Sequence, residues 1–147
     1  MFRRVLIPTD GSPTANKAVK SGIQLAKMLG SAVTGYYAVE SIPTGVYGEG
    51  YMFSNTARAR LEKRAKAVGR RHLAGMARLA RSAGVRFESV CARAQTPYDG
   101  IIDTARRKYC DAIFMGSHGR RGIAAMVMGS VTHKVLAKSR IPVLVFR

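Results

Sequence analysis

A glycine-bearing segment near the C-terminus has the residue types and the spacing that suit an anion. Two residues separate Gly116 from Gly119, and nine more separate Gly119 from Gly129-Ser130. Glycine lets backbone amides approach an anion because no side chain stands in the way. A helix that starts at Ser130 would add amides with partial positive charge. The pattern predicts a phosphate-binding loop, with the Ser130 hydroxyl and the Arg120 guanidinium as further donors; a turn that only connects two elements is the alternative.

A second candidate loop lies near the N-terminus. An apolar run rich in β-branched residues over 2–9 predicts a strand, and Asp10 follows it directly. Asp10 could act on a ligand or serve only as a turn residue before Gly11. Ser12 and Pro13 are typical of the cap and the first turn of a helix.

Strands and helices alternate along the whole chain. Apolar runs predict strands at 2–9, 32–39, 85–92, 112–115 and 141–146, and helical stripes predict helices between them. A loop rich in glycine and proline covers 40–56, and a long helix covers 57–83. The alternation predicts the α/β class, as one domain over residues 1–147. We expect a single open parallel five-stranded sheet of order 3-2-1-4-5 with helices on both faces.

This strand order brings the two candidate loops together. In such sheets a ligand binds beyond the carboxyl ends of the strands, where the strand order reverses. The reversal falls between the first and fourth strands, which are followed by Asp10 and by Gly116. The fold and the glycine spacing therefore predict the same site, and both favour nucleotide binding.

The sequence resembles the ATP-binding subgroup of the universal stress protein family over residues 1–147. The residues that carry the resemblance are Gly116-Ser117-His118-Gly119 with Gly129-Ser130, the run from Val5 to Ser12, and the run from Ile141 to Phe146. The resemblance implies a Rossmann-like fold of the adenine nucleotide alpha hydrolase type. It also implies a stress-response regulatory protein that binds ATP with Mg²⁺ or Mn²⁺ and forms a homodimer through its final strand.

The same resemblance implies roles for individual residues. Asp10 would face the ribose, the base or the metal, and Ala38 would offer backbone groups to adenine. Gly116, Gly119 and Arg120 would surround the ribose and phosphates, and the phosphate tail would lie on the start of the last helix. His118 could contact phosphate or face solvent. The complete predicted site consists of Pro8, Thr9, Asp10, Ala38, Met115, Gly116, His118, Gly119, Arg120, Gly129, Ser130 and Val131.

The chain is strongly basic, with 25 lysines and arginines against 8 acids and a formal net charge of +17. Much of this excess lies on the predicted helix over 57–83, opposite its apolar stripe, where Glu62 is the only acid. Such a face is usually only solvated, but it would also attract nucleic acid or an anionic membrane surface. Polyanion binding through this helix is therefore an alternative function.

Catalytic and redox chemistry have weaker support in the sequence. No Ser/His/Asp or paired-carboxylate pattern is readable, so no catalytic residue is assigned. A slow ATPase or self-phosphorylating enzyme, with Ser130 or a water as nucleophile, is a further alternative. Cys91 and Cys110 share no metal or redox spacing and are expected to be reduced thiols, unless the fold pairs them. His72 and His133 are expected to be structural.

The N-terminus and the hydropathy of the chain predict where the protein resides. The apolar stretch that ends at Pro8 is a poor signal peptide. No apolar run approaches the ~18 residues that a transmembrane helix needs. We therefore expect a cytoplasmic protein.

Overall fold

The computed structural model describes residues 2–41, 55–119 and 128–147. The predicted ligand Arg120 and most of the predicted loop over 40–56 lie outside these ranges. Within them the elements are β1 (Arg4–Pro8), α1 (Pro13–Leu29), β2 (Ala32–Glu40), α2 (Asn55–Ala83), β3 (Phe87–Ala94), α3 (Pro97–Arg107), β4 (Ala112–Gly116), α4 (Ser130–Lys138) and β5 (Val143–Phe146). Each predicted strand and helix is present, and the observed bounds differ from the predicted ones only at the ends of the elements.

The five strands form one parallel sheet of order β3-β2-β1-β4-β5, as predicted. β1 is the central strand: it pairs with β2 from Arg4 opposite Ala32 to Pro8 opposite Tyr36, and with β4 on its other side. The strand order reverses between β1 and β4, so the carboxyl ends of these two strands bound the crevice.

Two layers of helices cover the two faces of the sheet. Strand side chains alternate between the faces, so Val5 and Ile7 pack with α1 and α2 in one core cluster. Leu6 points the other way and packs with α3 and α4 in a second cluster. The central strand is therefore apolar along its length because both of its faces are buried.

Capping residues define the ends of the helices, and the cap at Ser12 and Pro13 is where the sequence predicts it. The Ser12 hydroxyl accepts a hydrogen bond from the backbone N–H of Ala15 at 3.1 Å, and Pro13 begins α1. Gly30 ends α1 with φ of 67°, a left-handed conformation that favours glycine. Thr96 caps α3 by accepting from the N–H of Asp99 at 3.3 Å. The caps at Ser12 and Thr96 begin helices at the carboxyl edge of the sheet, and Gly30 ends a helix at the amino edge.

The amino ends of the strands are tied by charged side chains. Glu88 accepts from Arg4, from Lys108 at 2.9 Å and from the Thr34 hydroxyl at 3.0 Å. Asp111 accepts from the backbone N–H groups of Arg3 at 2.8 Å and Arg4 at 3.0 Å. Both carboxylates therefore join β1 to neighbouring elements.

The two cysteines lie on opposite faces of the sheet, Cys91 in the cluster with α2 and Cys110 in the cluster with α3. Both are free thiols, and burial raises the pKa of each. The fold therefore does not pair them, in agreement with the expectation of reduced thiols. None of the helices in the described ranges is long and apolar enough to cross a membrane.

Candidate functional site

A cavity of about 420 Å³ opens at the carboxyl edge of the sheet, at the reversal of strand order. Its walls come from the ends of β1, β2 and β4 and from the first turns of α3 and α4. The volume lies in the range of roughly 300–1,000 Å³ that small-molecule sites occupy. Every predicted site residue in the described ranges lines it: Pro8, Thr9, Asp10, Ala38, Met115, Gly116, His118, Gly119, Gly129, Ser130 and Val131.

Two hydrogen bonds close the turn at Asp10, which lines this cavity. The backbone N–H of Ser12 donates to Asp10 Oδ1 at 2.9 Å, and that of Gly11 donates to Thr9 Oγ1 at 3.1 Å. Gly11 has φ of 80°, and a Cβ there would overlap the His72 ring. The Asp10 carboxylate therefore closes the turn, and Asp10 also lines the cavity.

The position of His72 explains why Gly11 must be a glycine. His72 belongs to α2, and its ring stacks on Tyr37 with 5.9 Å between centroids and an interplanar angle of 15°. The imidazole therefore supports the Asp10 turn from behind, as the expected structural role requires.

Gly119 lets the two candidate loops meet. A Cβ added at Gly119 would lie 2.6 Å from Asp10 Oδ2, closer than real side chains come. The close approach joins the loop after β1 to the loop after β4. The two glycine-dependent turns are thus parts of one wall.

The first turn of α4 faces the cavity without a capping side chain. Its N-cap is Gly129, whose N–H donates to the Ser117 carbonyl at 2.8 Å. Ser130, Val131 and Thr132 follow and line the cavity. The first amides of a helix have no partner inside the helix. No side chain of the described residues caps those of α4, so an anion in the cavity could accept from them.

His118 is half-buried at the same wall. Its Nδ1 lies 2.9 Å from the Ser117 hydroxyl. Its Nε2 is buried and has no hydrogen-bond partner among the residues that the structure describes. The imidazole is therefore positioned by Ser117 at the edge of the loop.

Several cavity residues escape the sequence-based prediction. Tyr36 is 1% exposed, and burial raises the pKa of its phenol to about 12, so the hydroxyl stays neutral. Its side chain also explains Gly100, where a Cβ would overlap the Tyr36 hydroxyl. Tyr98 of α3 and Lys134 of α4 also line the cavity. Lys134 follows Ser130 by one helical turn, and that spacing is the signal that could have found it.

Tyr98 carries two ammonium groups on its ring. Lys134 Nζ lies 5.1 Å from the ring centroid, and Lys138 Nζ lies 4.7 Å from it. Lys138 also donates to the Tyr98 hydroxyl at 3.4 Å. The acids on the cavity wall are Asp10 and Glu40. Across the described residues, no cluster of three or more His, Cys, Asp or Glu could hold a metal ion by itself.

The doubly wound α/β sheet, with a glycine-lined crevice at its switch point, belongs to the Rossmann-like class of folds. The model of the universal stress protein family matches residues 1–147. The chain therefore belongs to the universal stress protein family. It is 31% identical over 153 residues to universal stress protein YxiE of Bacillus subtilis, and the match covers 100% of both chains.

Solved structures share the fold. The structure of hypothetical protein MJ0577 has a TM-score of 0.80 at 22% identity and covers 99% of this chain and 95% of that one. A universal stress protein in complex with cAMP has a TM-score of 0.71 at 20% identity, covering 99% and 97%. A universal stress protein of Archaeoglobus fulgidus in complex with dAMP has a TM-score of 0.64 at 19% identity, covering 100% and 98%. At these identities the likeness concerns the fold.

Proposed function

We propose that residues 1–147 form a regulatory domain that binds ATP in the cavity at the carboxyl edge of the sheet. One observation carries the proposal: the uncapped first turn of α4 and the Asp10 turn meet in a single cavity. The amides of α4 suit phosphate, and the apolar wall near Tyr36 and Ala38 suits a base. The adenine nucleotides in two structures of similar fold agree with this ligand class.

Each wall then has a part in holding the nucleotide. The base lies toward the end of β2, where Ala38 offers backbone groups. The ribose lies between Asp10 and Gly116, and the phosphates lie along Gly119, Gly129 and the start of α4. His118 lies at the phosphate end. The role of Arg120 and the cytoplasmic location stay predictions.

Mg²⁺ or Mn²⁺ would enter with the triphosphate. Mg²⁺ is usually bound by one or two carboxylates together with substrate phosphates, and it keeps several waters. Asp10 is the cavity carboxylate next to the glycine loop, so the donor set fits a nucleotide-borne ion. The ion would neutralise phosphate charge, and Asp10 would orient it.

Calorimetry on nucleotide-stripped protein with Mg²⁺ tests the proposal, with ATP, ADP, AMP and GTP as ligands. We expect saturable binding that prefers ATP. Gly129→Ala should weaken it about tenfold or more, because a Cβ there would lie 3.2 Å from the Ser117 carbonyl and 3.3 Å from His118 Cα. Gly116→Ala should also weaken it, since its Cβ would lie 3.3 Å from Thr14 Cγ2.

Gly75→Ala is the matched control, because a Cβ at Gly75 would meet only Arg78, at 3.8 Å. Weak binding that is equal for every polyphosphate and disappears with salt would contradict the proposal. So would unchanged ATP affinity in both loop variants. Phosphate release in the same samples separates a binding module from the alternative, a slow ATPase.

A second candidate function rests on the helices of the other face. α2 has 29 residues, about 43 Å at ~1.5 Å per residue. Its one acid, Glu62, already pairs with Lys66 at 2.9 Å and with Arg93 at 3.6 Å. α1 packs beside α2 and contains no acid. The exposed cations of these two helices are Lys17, Lys20, Lys27, Arg60, Lys63, Arg64, Arg70, Arg71, Arg78 and Arg81.

This basic face would bind nucleic acid through its phosphates. The test is duplex binding measured against salt for the wild type and for Arg64→Ala with Arg78→Ala. The double variant should reduce the slope of log affinity against log salt by about 0.9 per lost phosphate contact, and leave ATP affinity unchanged. A slope equal to that of the wild type contradicts this function. Binding to anionic vesicles but not to duplex would replace nucleic acid by a membrane surface.

We further propose that a second copy of the chain pairs with β5. β5 is apolar and half-buried, and no strand of the described ranges lies on its outer side. Unpaired apolar edges tend to be covered in native proteins. Sedimentation should give a mass twice that of the 16.0 kDa chain, and a monomer at all concentrations would contradict the proposal.

A further inference from the structure

Lys134 is the lysine on the wall of the cavity. It lies in α4, four residues after Ser130, and residues at this spacing are neighbours on one side of a helix. Both side chains line the cavity and both are exposed to it. A phosphate chain that starts at the first turn of α4 could therefore extend one helical turn further, to the Lys134 ammonium group.

The aromatic ring of Tyr98 holds this ammonium group at the cavity wall. Lys134 Nζ stands 5.1 Å from the ring centroid, a distance typical of a cation–π contact. Lys138 Nζ shares the same ring at 4.7 Å. The Tyr98 ring therefore contacts two ammonium groups beside the cavity, of which only that of Lys134 belongs to a residue of its wall.

Some cations elsewhere in the fold have acidic partners. Arg4 and Lys108 both pair with Glu88 at the amino edge of the sheet, and Lys66 pairs with Glu62 on α2. In the described part of the chain, no carboxylate oxygen lies within the 4.0 Å of an ion pair with Lys134. The cavity wall therefore carries a cation that forms no ion pair with the residues that the structure describes.

We propose that Lys134 is a specificity-determining residue that recognises the distal phosphates of a bound nucleotide and so favours tri- and diphosphates over monophosphates. The inference rests on the proposed function and extends it. A monophosphate is held by the amides of α4 alone. A longer phosphate chain can also reach the ammonium group one turn further along the helix.

The experiment compares Lys134→Gln with Lys138→Gln as its matched control. Each variant removes one positive charge and one cation–π contact with Tyr98, and the two positions are one turn apart on α4. Only Lys134 is part of the described cavity wall. The ligands are ATP, ADP, AMP and inorganic tripolyphosphate, measured by calorimetry at about 0.15 M ionic strength, where screening limits long-range attraction to roughly 8 Å.

We expect Lys134→Gln to weaken ATP and tripolyphosphate binding about fivefold, as one exposed charge contact would. AMP binding should change less than about twofold, and Lys138→Gln should change every affinity less than about twofold. Equal losses in the two variants would overturn the inference. A loss for AMP as large as that for ATP would also overturn it. Unchanged circular dichroism in both variants verifies the fold, since both side chains are exposed.

The ligand set distinguishes this inference from the proposed function. If the wild type binds ATP and Lys134→Gln binds it equally well, the inference fails and the proposed function stands. If the wild type binds tripolyphosphate through Lys134 but no adenine nucleotide, the proposed function fails and Lys134 keeps its role toward polyphosphates. If the wild type binds none of these ligands, both are wrong.

Discussion

The amino edge and the carboxyl edge of the sheet differ in the partners of their backbone amides and charged side chains. At the amino edge, the Asp111 carboxylate accepts from two backbone amides, and Glu88 forms ion pairs with Arg4 and Lys108. At the carboxyl edge, the N-cap of α4 is Gly129, which has no capping side chain, and Lys134 forms no ion pair with the described residues. At the amino edge carboxylates pair with these donors and cations, whereas at the carboxyl edge the first turn of α4 presents its donors to a cavity.

This difference separates stability from binding in the fold. Carboxylates that are hydrogen-bonded inside the protein stabilise the folded state. Donors at the cavity contribute little until an anion arrives, and then they contribute to affinity. Substitutions at the amino edge should therefore change the free energy of unfolding, and substitutions at the carboxyl edge should change ligand affinity.

Gly119→Ala should have the largest effect at the carboxyl edge. Its Cβ would lie 2.6 Å from Asp10 Oδ2, so the carboxylate or the loop must move. We expect ATP affinity to fall about twentyfold, roughly 1.8 kcal/mol, with little change in thermal stability because Gly119 is exposed. Calorimetry and thermal denaturation measure the two quantities. A large loss of thermal stability with unchanged ATP affinity would show that Gly119 serves the fold and not the ligand.

Asp111→Asn, at the amino edge, should lower the stability of the fold without changing ligand affinity. Burial opposes ionisation of Asp111, but the backbone N–H groups of Arg3 and Arg4 outweigh it and lower the pKa of the carboxyl group. The free energy of unfolding at pH 7 should fall by about 1–2 kcal/mol, since an amide accepts these bonds more weakly than a carboxylate. ATP affinity should not change.

The lowered pKa also determines how this effect depends on pH. A carboxyl group with a lower pKa in the folded state stabilises the fold above its unfolded value, near ~3.9, and loses this contribution as the pH falls through the folded value. Urea denaturation at a series of pH values should therefore show the difference between wild type and Asp111→Asn shrinking below about pH 4. A difference that stays constant down to pH 2 would contradict this account.

Two substitutions at the carboxyl edge should separate a residue that stabilises the fold from one that binds the ligand. Thr96 caps α3 by accepting from the Asp99 N–H and donating to Asp99 Oδ2 at 2.7 Å. Thr96→Ala should lower the free energy of unfolding by about 1 kcal/mol. Ser130→Ala should leave it unchanged and weaken ATP binding about threefold. Equal stability losses in the two variants would show that Ser130 also serves the fold.

Much of the fold and part of the site followed from local patterns. The Ser12 and Thr96 caps and the Gly30 stop depend on residues next to each other in the chain. The strand order followed from alternating strands and helices, because right-handed crossovers leave few arrangements of such a chain. The meeting of the Asp10 and Gly119 loops was predictable for the same reason. Lys134 was missed because a lone lysine on a helix resembles any solvated charge.

The elements, the parallel sheet order and the glycine loops at the switch point follow from the amino-acid sequence alone, because they depend on local periodicity, turn chemistry and the handedness of crossovers. The side chains that complete the cavity, and the ion pairs, become visible only in the folded chain. α3 and α4 are distant in sequence, and packing on one face of the sheet brings Tyr98 and Lys134 together. Contacts of this kind depend on side-chain reach across packed elements, which no local pattern records.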